Sequence, residues 1–256
     1  MYALLSPAKK LAEPTRFHQN ASLPHFLDDA QELVDTMKKK APADLQTLMG
    51  ISDALATLNV ERFQAFETPF TQANASLAAL TFSGDTYVGF DASTLTDDDL
   101  AYAQTRIGIL SGLFGLLRPL DLMQPYRLEM GTKLSTSRGK NLYEFWDRKV
   151  TDQINGHLAQ LDRPAVINLA SKEYFSVLRQ PLLNAPVITP VFKDVRKGKA
   201  KVISFLAKRA RGAMARFIVK NRLTEPSALK DFTGDGYRYD ENSSAETEWV
   251  FIRPES

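Results

Sequence analysis

The strongest chemical signal in the sequence is a concentration of positive charge between residues 193 and 222. This segment holds eleven basic residues and one acidic residue, Asp194, in a chain of 256 residues whose net charge is only +2. Exposed helices usually mix charges of both signs one turn apart, so a run of one sign favours binding to a polyanion such as nucleic acid. The alternative is a solvated surface on which lysine and arginine stems cover apolar groups.

The later part of this segment, residues 207–223, has the pattern of a long helix with cations on both edges of one face. Successive residues turn by about 100°, which places Met214 and Phe217 on the opposite, core side. Gly212 lies between the two cationic rows, where it is expected to leave an open floor for a phosphate. The helix residues predicted to contact DNA are Lys208, Arg209, Arg211, Arg216, Lys220 and Arg222.

A glycine-containing segment, residues 110–121, is a second candidate for phosphate contact. Gly112 and Gly115 follow a predicted helix, and glycines in such a turn can expose backbone N–H groups to an anion. Arg118 and Arg127 would complete this site. The alternative is structural, with Gly112 ending the helix and Gly115 forming a tight turn.

A third group of polar residues follows the predicted strands. Ligands of open α/β sheets bind beyond the carboxyl ends of the strands, so these side chains are expected to line one pocket. Such a pocket suits an enzyme acting on a small phosphorylated or nucleotide-like ligand, with cations holding the anion and Glu129 or Glu173 as general base. The anion would be held by Lys9, Arg127 and either Lys208 or Arg211. The expected lining residues are Lys9, Arg127, Glu129, Asn168, Ser171 and Glu173.

Simpler roles exist for the same residues. Asn168 and Ser171 suit turn and N-cap positions, and Arg127 with Glu129 suits a buried ion pair. Glu173 lies early in a predicted helix, so we expect a structural carboxylate that orients Lys9 or Arg127. Carboxylates enclosed with Arg127 would indicate an enzyme, and an open groove lined by cations alone would indicate DNA binding. A protein without catalysis of its own is the favoured interpretation.

Several functional classes are disfavoured by what the sequence lacks. It has no cysteine and only three scattered histidines, so we expect no metal site and no thiol chemistry. Asp97, Asp98 and Asp99 point in different directions on a helix and suit its first turn better than a metal ion. No common nucleotide-binding or hydrolase motif is present, and no cofactor is expected. Without an export signal or an apolar run of ~20 residues, the chain is predicted to be cytoplasmic and not membrane-bound.

The elements that must position these residues alternate in type, which predicts an α/β fold. We expect one compact domain over residues 1–256, with a mixed sheet flanked by helices. The segment Phe82–Phe90 is predicted to be a turn between short extended pieces. Strands are predicted at Tyr2–Leu5, Pro164–Leu169, Val187–Phe192, Lys201–Phe205 and Trp249–Ile252. Helices are predicted after Ser22, Ala41 and Ser52, from Thr96 to Ser111, and over 141–161, 172–179 and 207–223.

Six motifs stand in the order typical of one family. They are Ser6-Pro-Ala-Lys9, Ser52-Asp53, Gly84-Asp85-x-Tyr87-x-Gly89, the block from Leu110 to Gly131, Asn168-Leu-Ala-Ser-x-Glu-Tyr-Phe175, and the segment from Ala207 to Phe217. Together these motifs resemble the peroxide stress protein YaaA family over essentially the whole chain. The Leu110–Gly131 block is the longest and most specific part of the match.

The resemblance implies a protein of the oxidative-stress response, linked to limiting free intracellular iron. It further implies a family-specific α/β fold with a positively charged cleft and a helix-hairpin-helix-like element that binds duplex and distorted DNA. Carried onto this sequence, that element is the Ser111–Arg118 segment, and the cleft is formed by Lys9, Arg118, Arg127 and the basic helix. A link to iron would be indirect, because carboxylates alone make a poor selective Fe²⁺ site.

Overall fold

A mixed sheet of eight strands forms the centre of the computed structural model, which describes residues 1–13 and 18–255. The strands are β1 (Tyr2–Leu5), β2 (Ile107–Ser111), β3 (Gly115–Leu117), β4 (Val166–Leu169), β5 (Val187–Arg196), β6 (Lys199–Lys201), β7 (Arg238–Tyr239) and β8 (Glu248–Arg253). The strand order across the sheet is β7-β8-β5-β4-β1-β2-β3, and β6 pairs with the outer part of β5.

The first strand of the chain lies in the middle of this sheet. β1 pairs in parallel with β2 on one side and with β4 on the other, and β5 and β8 continue the parallel part. All four residues of β1 are buried, as expected for a strand covered on both faces by helices. β3, β6 and β7 are antiparallel additions. The predicted α/β class, a single compact domain with a mixed sheet flanked by helices, is confirmed.

Ten α-helices surround the sheet within the described residues. Ser52 and Thr96 cap two of them through their side chains, as the sequence predicts. The helices are α1 (Leu27–Met37), α2 (Pro42–Met49), α3 (Asp53–Gln64), α4 (Ala78–Thr81), α5 (Asp85–Phe90), α6 (Asp97–Arg106), α7 (Leu142–Trp146), α8 (Lys149–Leu158), α9 (Lys172–Phe175) and α10 (Ser204–Lys220). None of them is long and apolar enough to cross a membrane.

Short elements complete the described structure. Two small sheets pair Lys10–Leu11 with Phe82–Ser83 and Ser76–Leu77 with Leu122–Met123. Short 3-10 helices lie at Ala92–Thr94, Gln180–Leu182, Pro226–Asp231, Gly234–Gly236 and Glu241–Ser243.

Some predicted elements are wrong. α1 begins at Leu27 and not behind Ser22, whose hydroxyl donates to Asp121 instead. The helix predicted over 141–161 is broken at Asp147, where φ is 41°. Residues 85–90 form α5 instead of an extended piece. The helix predicted to continue to Ser111 ends at Arg106, and the next five residues are β2.

The expected helix-hairpin-helix is a β-hairpin in the structure. β2 and β3 pair antiparallel across a turn that closes where the Phe114 N–H donates to the Ser111 hydroxyl at 2.9 Å. Every residue of both strands is buried. A segment with no polar face suits a strand covered on both sides, whereas a surface helix needs an apolar stripe and a polar one.

Candidate functional site

The order in which strands are added to the sheet reverses at β1, and this creates a crevice beyond the carboxyl ends of the central strands. The connection after β1 leads to β2 on one side, whereas β4 and the strands that follow lie on the other side. In open parallel sheets, ligands bind in the crevice beyond the carboxyl ends of the strands at this point. Here the crevice opens behind Leu5 and Leu169, the last residues of β1 and β4.

Two serines join the ends of β1 and β4 at the base of this crevice. The Ser171 backbone N–H donates to the Ser6 hydroxyl at 2.8 Å, and the two hydroxyl oxygens are 3.4 Å apart. The Tyr87 hydroxyl donates to the Ser6 carbonyl at 3.0 Å, tying α5 to the same loop. Ser171 also caps α9, the structural role that its sequence context predicts.

A close crossing of α5 and α10 forms the opposite wall. A Cβ on Gly89 would lie 2.0 Å from the carbonyl oxygen of Arg209, and a Cβ on Gly212 would lie 1.7 Å from that of Thr86. Only glycine allows the two backbones to approach this closely. The expectation that Gly212 leaves an open floor for phosphate is therefore wrong, because Gly212 is buried against α5.

The cleft between these walls has a volume of about 410 Å³ and is surrounded by cations from two elements. Lys9 and Lys10 come from the segment after β1, and Lys208 and Arg211 come from α10. Among residues 1–13 and 18–255, Lys10, Lys208 and Arg211 have no carboxylate oxygen within 4 Å. Burial lowers the pKa of the Arg211 guanidinium, which stays charged at neutral pH.

The cleft also contains carboxylates. Asp85 at the start of α5 and Glu173 on α9 both line it. Glu173 Oε1 accepts from the Gly131 N–H at 3.0 Å, so Glu173 is a structural carboxylate, although it does not orient Lys9 or Arg127 as expected. Burial raises the pKa of the neighbouring Tyr174 hydroxyl, and the charge of Glu173 raises it further. The tyrosine is therefore protonated at neutral pH.

Lys9, Arg127 and Glu129 form an ion-pair cluster beside the cleft. Glu129 accepts from Lys9 at 2.8 Å and from Arg127 at 3.0 Å, which confirms the ion pair considered from the sequence. Lys9 lines the cleft, whereas Arg127 and Glu129 line a narrow adjoining crevice of about 10 Å³. Asn168 serves the turn after β4, where its side chain accepts from the Ala170 N–H at 3.1 Å. The single polar pocket predicted from the sequence is therefore two adjoining sites in the structure, the cleft and the ion-pair cluster, and Lys9 belongs to both.

Most of the other predicted DNA contacts are already paired with carboxylates. On α10, Arg209 pairs with Asp235 at 3.2 Å and Arg216 with Asp91 at 3.8 Å. The remaining pairs are Lys220 with Asp99 at 2.9 Å, Arg222 with Asp99 at 3.0 Å, and Arg118 with Asp121 at 2.8 Å. Asp91 and Asp99 lie about a hundred residues before the basic run, and Asp235 lies shortly after it. Together these three carboxylates pair with the four cations on its outer face, Arg209, Arg216, Lys220 and Arg222.

Asp99 is held as an anion by its surroundings. Burial alone would raise the pKa of this carboxyl, but donation from Lys220 and from Thr96 lowers the pKa to about 2. Asp99 and Thr96 also form the reciprocal hydrogen bonds of a capping box, which confirms the first-turn role expected for this acidic residue.

Gly112 and Gly115 lie inside the protein. A Cβ on Gly112 would lie 2.2 Å from the carbonyl oxygen of Leu128, and a Cβ on Gly115 would lie 2.9 Å from the ring of Trp146. The Trp146 indole N–H donates to the Gly112 carbonyl at 3.1 Å. Both glycines are thus positions of close packing, and neither backbone is open to a phosphate.

A second group of exposed cations lies on the arm formed by the end of β5 and by β6. β5 runs parallel to β4 and continues past the edge where the cleft opens, so the arm projects from that same edge. At the tip of the arm, the Glu255 carboxylate accepts from the backbone N–H groups of Lys197 and Gly198. The exposed cations of the arm are Arg196, Lys197, Lys199 and Lys201.

Sequence reasoning missed the part of the cleft that residues 83–86 provide. Ser83, Asp85 and Thr86 line the cleft. The acidic residue after Gly84 is one signal of a helix start, but Val88 and Gly89 disfavour a helix over this segment. No group of three or more histidine, aspartate or glutamate side chains in residues 1–13 and 18–255 is arranged to hold a metal ion.

Comparison of the sequence with known proteins identifies a matching family and several similar proteins. A family model described as peroxide stress protein YaaA matches residues 1–243. A UPF0246 protein of Burkholderia lata is 53% identical, over 99% of this chain and 98% of its own length. UPF0246 proteins of Colwellia psychrerythraea and Saccharophagus degradans are each 50% identical. The first alignment covers 100% of this chain and of the Colwellia protein, and the second covers 99% of this chain and of the Saccharophagus protein.

Proposed function

Because the chain belongs to the peroxide stress protein YaaA family, as its motifs predict, we propose that it binds DNA in the cellular response to peroxide. The proposed interface is the edge of the sheet where the cleft opens. Lys10, Lys208 and Arg211 contact phosphates there, and the arm formed by β5 and β6 extends the interface. Lys9 contributes less, because Glu129 already neutralises it.

The observation that carries this proposal is the convergence of unneutralised cations from separate elements. Lys10 follows β1, whereas Lys208 and Arg211 come from α10, almost two hundred residues later in the chain. An ordinary solvated surface gains little from placing like charges together, since each cation repels the next. A phosphate backbone offsets this repulsion and releases counterions when it binds.

The proposed contacts read the shape and charge of DNA rather than its sequence. Lysine and arginine side chains at a cleft rim suit phosphate oxygens, which carry no direct sequence information. The direct interface excludes the predicted DNA contacts that are paired with carboxylates. These are Arg118, Arg127, Arg209, Arg216, Lys220 and Arg222. Gly112 and Gly115 are left out because they are buried.

We place this activity in the cytoplasm and propose no catalytic step. Any effect on free iron is proposed to be indirect and to act through bound DNA. A direct iron site is disfavoured because the chain has no cysteine and only three histidines.

Titration of a fluorescently labelled duplex with the protein, followed by anisotropy over a salt series, tests this proposal. Two duplexes of unrelated sequence should bind with similar affinity, and the affinity should fall steeply as salt rises. Lys208→Glu should weaken binding by at least about tenfold, since it reverses one charge at the rim.

The matched control is Lys39→Glu, which makes the same charge change at an exposed lysine that does not line the cleft. It should bind within about twofold of the wild type. Binding that does not depend on salt, or an equal loss in both variants, would contradict the proposed interface.

A further inference from the structure

The cleft is the wrong size for the ligand proposed to lie across it. Its volume of about 410 Å³ falls within the range of pockets that enclose small organic molecules. A duplex cannot enter such a space, since its major groove alone is about 12 Å wide. An intact duplex therefore reaches the exposed cations at the rim, such as Lys10 and Lys208, and leaves the interior of the cleft empty.

The chemistry of the interior is also wrong for phosphate alone. Asp85 and Glu173 line the cleft together with the cations, and carboxylates repel a phosphate. One oxygen of Glu173 is occupied by the Gly131 N–H, which leaves the other available to accept from a ligand. Both carboxylates can accept hydrogen bonds from N–H donors on a ligand.

A ligand that satisfies both groups has a phosphate at one end and N–H donors at the other. A nucleotide has this composition, because the edges of most nucleobases carry amino or imino donors that carboxylates accept. The cleft also offers hydroxyl groups at Ser6 and Thr86 and an apolar wall that includes Pro7, Leu169 and the ring of Tyr174.

We propose that this cleft binds a single nucleotide. Its phosphate lies on Lys208 and Arg211, and the edge of its base faces Asp85 and Glu173. The position fits the general placement of ligands in parallel sheets, because the cleft lies where the direction of strand winding reverses at β1.

The nucleotide has two possible sources, a free nucleoside monophosphate and a nucleotide extruded from DNA. The second source rests on the proposed function, since it requires DNA bound across the rim. Extrusion costs least where a base is already unpaired, so the second source predicts a preference for distorted DNA.

A variant that fills the cleft without changing its charge tests whether a nucleotide from either source binds there. Ser83 lines the cleft opposite Lys10 in the small sheet, and Ser83→Trp should occlude the cleft without removing a charge. Ser135→Trp adds the same side chain at an exposed serine that does not line the cleft. Three DNA probes are compared: a matched duplex, a duplex with one bulged nucleotide, and the same bulge with an abasic residue. The 5′-monophosphates of adenosine, guanosine, cytidine and thymidine are titrated separately by calorimetry.

We expect at least one of two results with the wild type: binding of a nucleoside monophosphate, or a preference of about tenfold for the bulged base over the abasic bulge. The first result identifies a free nucleotide as ligand, and the second identifies an extruded one. Ser83→Trp should abolish whichever is seen, and Ser135→Trp should retain it and should bind the matched duplex like the wild type.

The proposal is overturned if the wild type binds no monophosphate and does not distinguish the bulged base from the abasic one. It is also overturned if a folded Ser83→Trp protein keeps either property. If Ser83→Trp fails to fold, competition of the monophosphates against the labelled bulged duplex on wild-type protein decides between the same outcomes. Failure to bind matched duplex, with monophosphate binding intact, would refute the proposed DNA function and leave the nucleotide site standing.

Discussion

The two faces of α10 carry the same kinds of side chain and meet different surroundings. Towards the cleft, Lys208 and Arg211 have no carboxylate partner among the described residues. Away from it, Arg216 and Lys220 pair with Asp91 and Asp99. One helix thus contributes unpaired cations to the cleft on one face and structural ion pairs on the other.

This difference shows that a run of basic residues does not by itself give a surface of unpaired positive charge. The charge that matters for a polyanion is the charge left after the fold has brought in its counter-ions, and those come from distant segments. Substitutions at the helix crossing test the geometry that separates the two faces, and removal of cations from one face at a time tests the role of their charges.

The largest expected effect comes from the helix crossing that presents the cleft face. In Gly212→Ala the new Cβ would lie 1.7 Å from the Thr86 carbonyl oxygen, so α5 and α10 must move apart. We expect a loss of about 3 kcal/mol of unfolding free energy, measured by urea denaturation, and weaker duplex binding by the folded fraction.

Gly156→Ala is the matched control, because nothing lies within 4 Å of its added Cβ on α8. It should stabilise the protein by about 0.5–1 kcal/mol through helix propensity. Equal stability of Gly212→Ala and wild type would show that the helices do not cross as closely as described.

The next largest effect on stability is expected on the face of α10 whose cations pair with carboxylates. Lys220→Ala removes a donor from the buried Asp99 carboxylate while Arg222 and Thr96 remain. We expect a loss of about 1 kcal/mol of unfolding free energy at neutral pH, with duplex affinity within about twofold of the wild type. A tenfold loss of DNA affinity without loss of stability would instead make Lys220 part of the interface.

The stability cost of Lys220→Ala should also depend on pH. The pKa of Asp99 is lowered to about 2 in the folded protein, below its ordinary value of 3.8. The stabilisation from this carboxylate is therefore complete above about pH 4 and is lost as the pH falls towards 2. The difference between variant and wild type should shrink over that window in urea denaturation at several pH values.

The smallest expected effect tests the carboxylate within the cleft. Glu173→Gln keeps an oxygen that can accept from the Gly131 N–H and removes a negative charge beside the cations. Duplex affinity should therefore rise, by less than about threefold, because repulsion of phosphate decreases. A fall in duplex affinity measured by anisotropy would mean that Glu173 orients a DNA contact.

Local sequence signals predicted much of the fold. The buried strand Tyr2–Leu5, the caps at Ser52 and Thr96 and the long basic helix all follow from periodicity and capping. β2 was missed because it follows α6 without a break, with Ile107 ending the helix and starting the strand. No glycine or proline separates the two elements, so propensity alone extends the helix.

The candidate site was predictable only in part, because it depends on contacts between remote segments. Of the predicted pocket residues, the cleft is lined by Lys9, Ser171, Glu173, Lys208 and Arg211, and not by Arg127, Glu129 or Asn168. The packing of Gly212 against Thr86 and the ion pair of Asp91 with Arg216 join positions more than a hundred residues apart. A single sequence has no local signal for such contacts, since neither periodicity nor capping specifies which carboxylate meets which cation.

We propose that the cleft face of α10 binds phosphate and that the opposite face does not. The most direct measurement is duplex affinity from about 50 to 200 mM salt for two double variants, Lys208→Ala with Arg211→Ala and Arg209→Ala with Arg216→Ala. Removal of the cleft pair should make the log–log salt dependence shallower by roughly 1.8, about 0.9 for each phosphate that the protein no longer neutralises. Removal of the outer pair should change the slope by less than about 0.5. Equal changes in the two variants, or a larger change for the outer pair, would contradict the account.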